Sequence, residues 1–183
     1  MNYTWERKPD LYKGDDSTRF LLGVTGRNPL VCFGVNPSTA NNDYADKTMH
    51  MVEQIAKRND YDGWIMLNLY PLRDKNPKCL PPQMDTILHE QNLEHIRGIL
   101  SHRGLTLWAA WGEPIAVQPY LTVCLQEIHK IVDECECNWV SFGKQDDDGT
   151  IKATTTTNHP RHPSRLPLLA KPKTYNVTHY FKE

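Results

Sequence analysis

The residues best suited to chemistry lie near the end of the chain, in Asn158-His159-Pro160-Arg161-His162-Pro163-Ser164. Two histidines sit three apart and each precedes a proline. Proline disfavours helical backbone in the residue before it, so this segment is stiff and extended. Such a segment can aim an imidazole or a backbone N–H at a ligand. Arg161 and Arg165 flank His162, and Lys171 is close, which makes this the chain's best candidate anion-binding patch. Two other readings stay open. The histidines could bind a metal, but no third ligand is evident, and we expect no metal. The segment could also be a solvated basic loop.

A second group is Gly34-Val35-Asn36-Pro37-Ser38. Glycine permits close backbone approach by a ligand. Asn36 can orient a water or bond a base edge, Pro37 stiffens the turn, and Ser38 and Thr39 could cap the following helix. An ordinary strand-to-helix turn would read the same way. Asn68 stands near the end of an otherwise apolar run, where an amide must find partners or cost a few kcal/mol. It either ties down a loop or reads a ligand. Arg73 could face phosphate or pair with Asp74 at the surface. Trp108 and Trp111 read as core or pocket wall. The phosphate-loop, dinucleotide, GxSxG and HExxH patterns do not occur.

The elements that must hold these residues alternate. Ser17 to Thr25 reads as an edge strand. Leu30 to Val35, Trp64 to Leu69, Leu105 to Trp111 and Trp139 to Phe142 read as buried strands. Helical patterns separate them: one with Met49, Val52, Ile55 and Ala56 on its face, one running from Met84 to Leu100, and one over Ile115 to Val132 with a break near Pro119. A turn at Asp146 to Gly149 and a threonine-rich strand precede the histidine loop. The β-α-β-α-β-α-β order predicts an α/β fold of three layers, α/β/α, around a mainly parallel four-stranded sheet. Ligands bind such sheets at the carboxyl ends of the strands, so the loops after the four strands and the histidine loop should share one rim.

Length suits one domain spanning 1–183. A formal net charge of −1 creates no global field for nucleic acid, although a local basic patch remains open. No apolar run is long enough for a membrane helix, and the N-terminus lacks a signal core. Five cysteines without a CxxC pair read as reduced thiols in a cytoplasmic protein. Cys135 and Cys137 form a CxC pair, which alone makes a poor metal site.

Taken in order, FGVNPS, IMLNLYPLR, LWAAWG and HPRHPSRLP resemble domain-of-unknown-function family 1643, a bacterial and phage family. Its pattern falls on Gly34 to Ala40, Asp46 to Thr48, Asn68, Trp111-Gly112 and His159 to Pro163, with the resemblance running from about residue 18 to 170. The same order more distantly resembles the uracil-DNA glycosylase superfamily. That resemblance implies a glycosylase-like domain that binds a nucleobase or nucleotide, with DNA as a further partner, and cleaves an N-glycosidic bond. It puts Asn36 in the water-positioning place, Asn68 in the base-reading place and His162 in the place of the electrophile. Gly34, Pro37, Ser38 and His159 would line the base site, and Tyr44 is the aromatic assigned to stack on the base. Arg73, Arg161, Ser164 and Arg165 would meet phosphate. Asn36 stands where the most active branch has Asp, whereas the mismatch-specific branch also has Asn. The cysteine spacing does not fit the iron–sulfur branches, so no cofactor is expected. A non-catalytic nucleotide or nucleic-acid binder, and an enzyme acting on a small phosphorylated metabolite, are the rival readings.

Overall fold

The computed structural model describes residues 3–102 and 104–181. Eight strands form one mixed sheet: β1 (Leu11–Gly14), β2 (Arg19–Val24), β3 (Pro29–Gly34), β4 (Gly63–Asn68), β5 (Thr106–Ala109), β6 (Asn138–Gln145), β7 (Ile151–Lys152) and β8 (Lys171–Thr174). Their order is β1-β2-β4-β3-β5-β6-β7, with β8 also paired to β6. The four apolar runs become the parallel strands β4, β3, β5 and β6. The sheet is therefore α/β as expected, but it has eight strands instead of four.

Three helices cover it: α1 (Lys47–Arg58), α2 (Thr86–Leu100) and α3 (Tyr120–Glu134). The pleat decides which side each residue serves. Val31 and Phe33 of β3 face α2 and α3 through Leu93, Ile96, Leu121 and Leu125. Leu30 and Cys32 face α1 through Met49, Val52 and Ile55. A strand buried on both faces reads as a continuous apolar run because it must fill both cores.

Four expectations need correction. The strand around Arg19 is not the edge, because β1 pairs outside it. The helix expected over Ile115 to Val132 does break near Pro119, which is the N-cap of α3, but the piece before the break is a short 3-10 turn, Glu113–Val117. The threonine stretch keeps only the two-residue β7, and Thr155 instead bonds within a tight turn to His159. Ser38 and Thr39 do not cap α1. That cap is Asp46, whose carboxylate accepts the Met49 N–H at 2.9 Å. No helix among the described residues is long and apolar enough to cross a membrane. All five cysteines are free thiols.

Candidate functional site

The loops after β3, β4 and β5 meet the histidine loop around a cavity of about 670 Å³, a size common among small-molecule sites. Gly34, Asn36, Ser38, Arg161, His162, Ser164 and Arg165 all line it. So do the first residues of α1 and the Trp111–Pro114 segment. Five basic and three acidic side chains line its wall, a local positive bias in a chain of net charge −1.

His162 caps the short turn Pro163–Arg165 in extended conformation. Its Nδ1 accepts the Ser164 backbone N–H at 3.3 Å and lies 2.9 Å from the Ser164 hydroxyl. A backbone N–H can only donate, so Nδ1 carries no proton. The neutral ring then keeps its proton on Nε2. Burial, the largest cause, pulls the pKa of His162 down to about 4. Asp46 opposes that shift and Arg165 adds to it. At neutral pH the cavity therefore meets a neutral imidazole with a free Nε2–H donor.

Gly112 lies against the histidine loop in a backbone conformation that favours glycine. Its φ is +64°, and a Cβ there would lie 3.4 Å from the His162 Cβ. The Trp-Gly pair lies just beyond β5, and Gly112 takes a backbone that glycine adopts readily.

Asn36 spends its NH2 group on three carbonyls: Asp74 at 2.9 Å, Leu72 at 3.2 Å and Pro37 at 3.3 Å. These bonds fix the amide so that Oδ1, which receives no donor among the described residues, is the free end. Asn68 pairs with Gly34 across β4 and β3. It is 0% exposed and does not reach the cavity surface, yet neither of its amide atoms has a partner among the described residues. Its Oδ1 lies 3.1 Å from the place a Gly34 Cβ would take. Asn36 and His162 thus share the cavity, and Asn68 lies just behind the wall made by Gly34 and Met66.

The model of a family described as protein of unknown function (DUF1643) matches residues 19–164. The chain belongs to that family. No curated protein and no solved structure matches it. The DUF1643 region begins and ends on cavity-lining residues, Arg19 and Ser164.

Several expected site residues serve the scaffold. His159 turns away from the cavity, and its Nδ1 lies 2.7 Å from the Tyr180 hydroxyl. Tyr180 accepts the Trp111 Nε1–H at 3.1 Å, which leaves its own O–H to donate to His159. The Tyr175 hydroxyl donates to the Asn158 carbonyl at 2.9 Å. His159 is therefore an anchor that ties the loop to residues beyond the DUF1643 region. Arg73 donates through Nε to the Asp15 and Thr18 carbonyls, through Nη1 to those of Ser38 and Ala40, and through Nη2 to Tyr12. Its donors are spent holding three loops together. Tyr44 and Arg73 line a separate cavity of about 340 Å³ next to the first. Pro37 is buried, and its carbonyl accepts the Asp74 N–H. Arg161 donates through Nε to the Lys152 carbonyl at 3.0 Å, while Arg165 is exposed and its guanidinium makes no hydrogen bond among the described residues.

The cavity also holds residues given no role above. Asp46, Lys47 and Thr48 form its α1 side, and Arg19 enters from β2. β2 runs antiparallel to β4, so its first residue reaches the rim where the parallel strands end. A rule that collects carboxyl ends misses it. The available signal was a lone arginine opening an apolar strand, RFLLGV.

Proposed function

We propose that this cavity is a glycosylase-like site that binds a nucleobase or nucleotide and hydrolyses an N-glycosidic bond. The observation that carries this reading is the fixed tautomer of His162, with its Nε2–H free at the cavity. Breaking the C1′–N bond leaves the electron pair on the base, and the charge gathers on a carbonyl oxygen. A preorganised donor there stabilises the leaving base. A neutral imidazole suits that role because it donates without surrendering its proton. The oxygen of a water adds to C1′, and Asn36 Oδ1 can accept a hydrogen bond from it. An amide cannot take up a proton, so the water's proton passes to the departing base or to solvent. Asn68, expected to read the base, lies behind the wall made by Gly34 and Met66, so this reading rests on His162 and Asn36. The distant resemblance to uracil-DNA glycosylases supports the same assignment.

A non-catalytic binder is the second reading, and Asn36 favours it. The residue nearest the water-positioning role is uncharged, and its NH2 is committed to the scaffold. Base release separates the two. The protein would be incubated with single- and double-stranded oligonucleotides, nucleosides and nucleotides carrying uracil, hypoxanthine, mismatched thymine or hydroxymethylated pyrimidines. Base release that disappears in His162→Ala establishes hydrolysis. Saturable nucleobase binding without release establishes the binder, and the absence of both release and binding would overturn the nucleobase reading.

A further inference from the structure

We propose that Arg19 and the first turn of α1 form a phosphate subsite inside the cavity, and that the ligand is therefore a free nucleotide with a terminal phosphate. The nucleotide part rests on the reading above. The phosphate part stands on different atoms.

Arg19 is 2% exposed and lines the cavity. Among the described residues its guanidinium makes one hydrogen bond, from Nη1 to the Ala40 carbonyl at 3.0 Å. Nε meets no acceptor, and no carboxylate lies within ion-pair distance among the described residues. A buried guanidinium in this state is costly unless an anion completes it. The neighbouring Arg73 adds repulsion, since its own donors are already spent on carbonyls. Burial first, and Arg73 second, pull the pKa of Arg19 down to about 10, against an opposing effect from Asp46.

The start of α1 opens on the same space. Asp46 satisfies the Met49 N–H, which leaves the N–H groups of Lys47 and Thr48 without a helical acceptor. Both residues line the cavity. Free N–H groups and the positive end of the helix dipole favour an anion there. Asp46 offsets part of the positive charge, and its carboxylate is an acceptor suited to a sugar hydroxyl beside the phosphate.

Depth decides the ligand class. A DNA strand runs over a surface and meets exposed cations. Arg19 can be reached only by a group that enters the cavity, which a terminal phosphate does. The exposed Arg165 and the partly exposed Arg161 are where a polymer backbone would lie instead.

The test uses the full chain and inorganic phosphate, followed by backbone amide NMR. Saturable shifts at Lys47 and Thr48 are expected. Arg19→Gln should weaken phosphate binding by about tenfold or more, whereas Arg161→Gln with Arg165→Gln should leave it within about twofold. If Arg19→Gln does not fold, the amide map of the native protein still decides. Shifts confined to residues 161–165, or none, overturn the subsite. A nucleoside and its 5′-monophosphate then separate the two readings. Nucleoside binding with no gain from the phosphate keeps the base site and removes the subsite. Phosphate shifts at Lys47 and Thr48 with no gain from any nucleoside keep the subsite and remove the nucleobase reading. An oligonucleotide binding more tightly than the mononucleotide refutes the free-nucleotide ligand.

Discussion

Acidification should show directly that His162 is held neutral. Its pKa falls from 6.5 to about 4 in the folded protein. The folded value lies below the unfolded one, so between these limits the unfolded chain binds more protons. The stability contributed by the neutral ring is complete above about pH 6.5 and is lost as pH falls toward 4. Each pKa unit is worth about 1.4 kcal/mol, so the full window amounts to about 3 kcal/mol. Water in the cavity screens the ring and makes this figure a ceiling. The assay is urea unfolding of the wild type and His162→Asn at pH 7 and pH 4. Asparagine keeps an acceptor for the Ser164 N–H and does not titrate. The wild type should lose up to about 3 kcal/mol more than the variant over this range. Nitrogen NMR of the ring adds a direct check, with Nε2 protonated at pH 7 and an inflection near pH 4. An inflection near the ordinary histidine value, or a proton on Nδ1, would refute the tautomer argument and with it the proposed donor.

Four further outcomes follow from the same contacts. Asn36→Asp turns a carboxylate toward the Pro37, Leu72 and Asp74 carbonyls, so urea unfolding should show a loss of about 2–4 kcal/mol instead of a new general base. Arg73→Lys cannot span five acceptors and should lower stability by about 2–3 kcal/mol, read by thermal melting; an unchanged melt would mean that the loops hold without it. Tyr180→Phe strands His159 Nδ1 and Trp111 Nε1, at a cost of about 1–3 kcal/mol, and should weaken ligand binding because the His162 loop loosens; unaltered affinity in a titration would remove the anchor role. Asn68→Leu should stabilise the protein by about 1–2 kcal/mol in urea unfolding, because the buried amide has no partner among the described residues, and destabilisation would reveal a partner for it within the protein.

Much of this fold was legible because a strand buried on both faces must be apolar throughout. β3, β4, β5 and β6 read clearly for that reason. β1 and β8 did not. LYKG and KPKT lack an apolar run, and they become strands only by pairing with β2 and β6. Pro172 within KPKT argues against a strand, although an edge position tolerates it. The rim was legible from topology, so Asn36 and His162 were expected together. Arg19 was not, because its place depends on an antiparallel neighbour that the βαβ pattern does not announce. His159 and Arg73 have the side chains of ligand-binding residues. Only the network shows that their polar atoms are already used.

That distinction gives a physical criterion for dividing the site. A polar group with its hydrogen bonds complete inside the protein adds rigidity and has little left to offer a ligand. Arg73, His159 and the NH2 of Asn36 belong to this class. A polar group buried without a partner costs free energy in the empty protein, and a ligand that completes it recovers that cost on binding. Arg19 Nε and the Asn68 amide are in this second state. His162 Nε2–H and Asn36 Oδ1 stand at the cavity wall, each oriented by bonds made through the opposite end of its own side chain. The anchored ends explain why the free ends point where they do. NHPRHPS shows the division in seven residues: its first histidine completes a bond to Tyr180 and sets the loop, and its second uses one nitrogen for Ser164 and keeps the other free at the cavity.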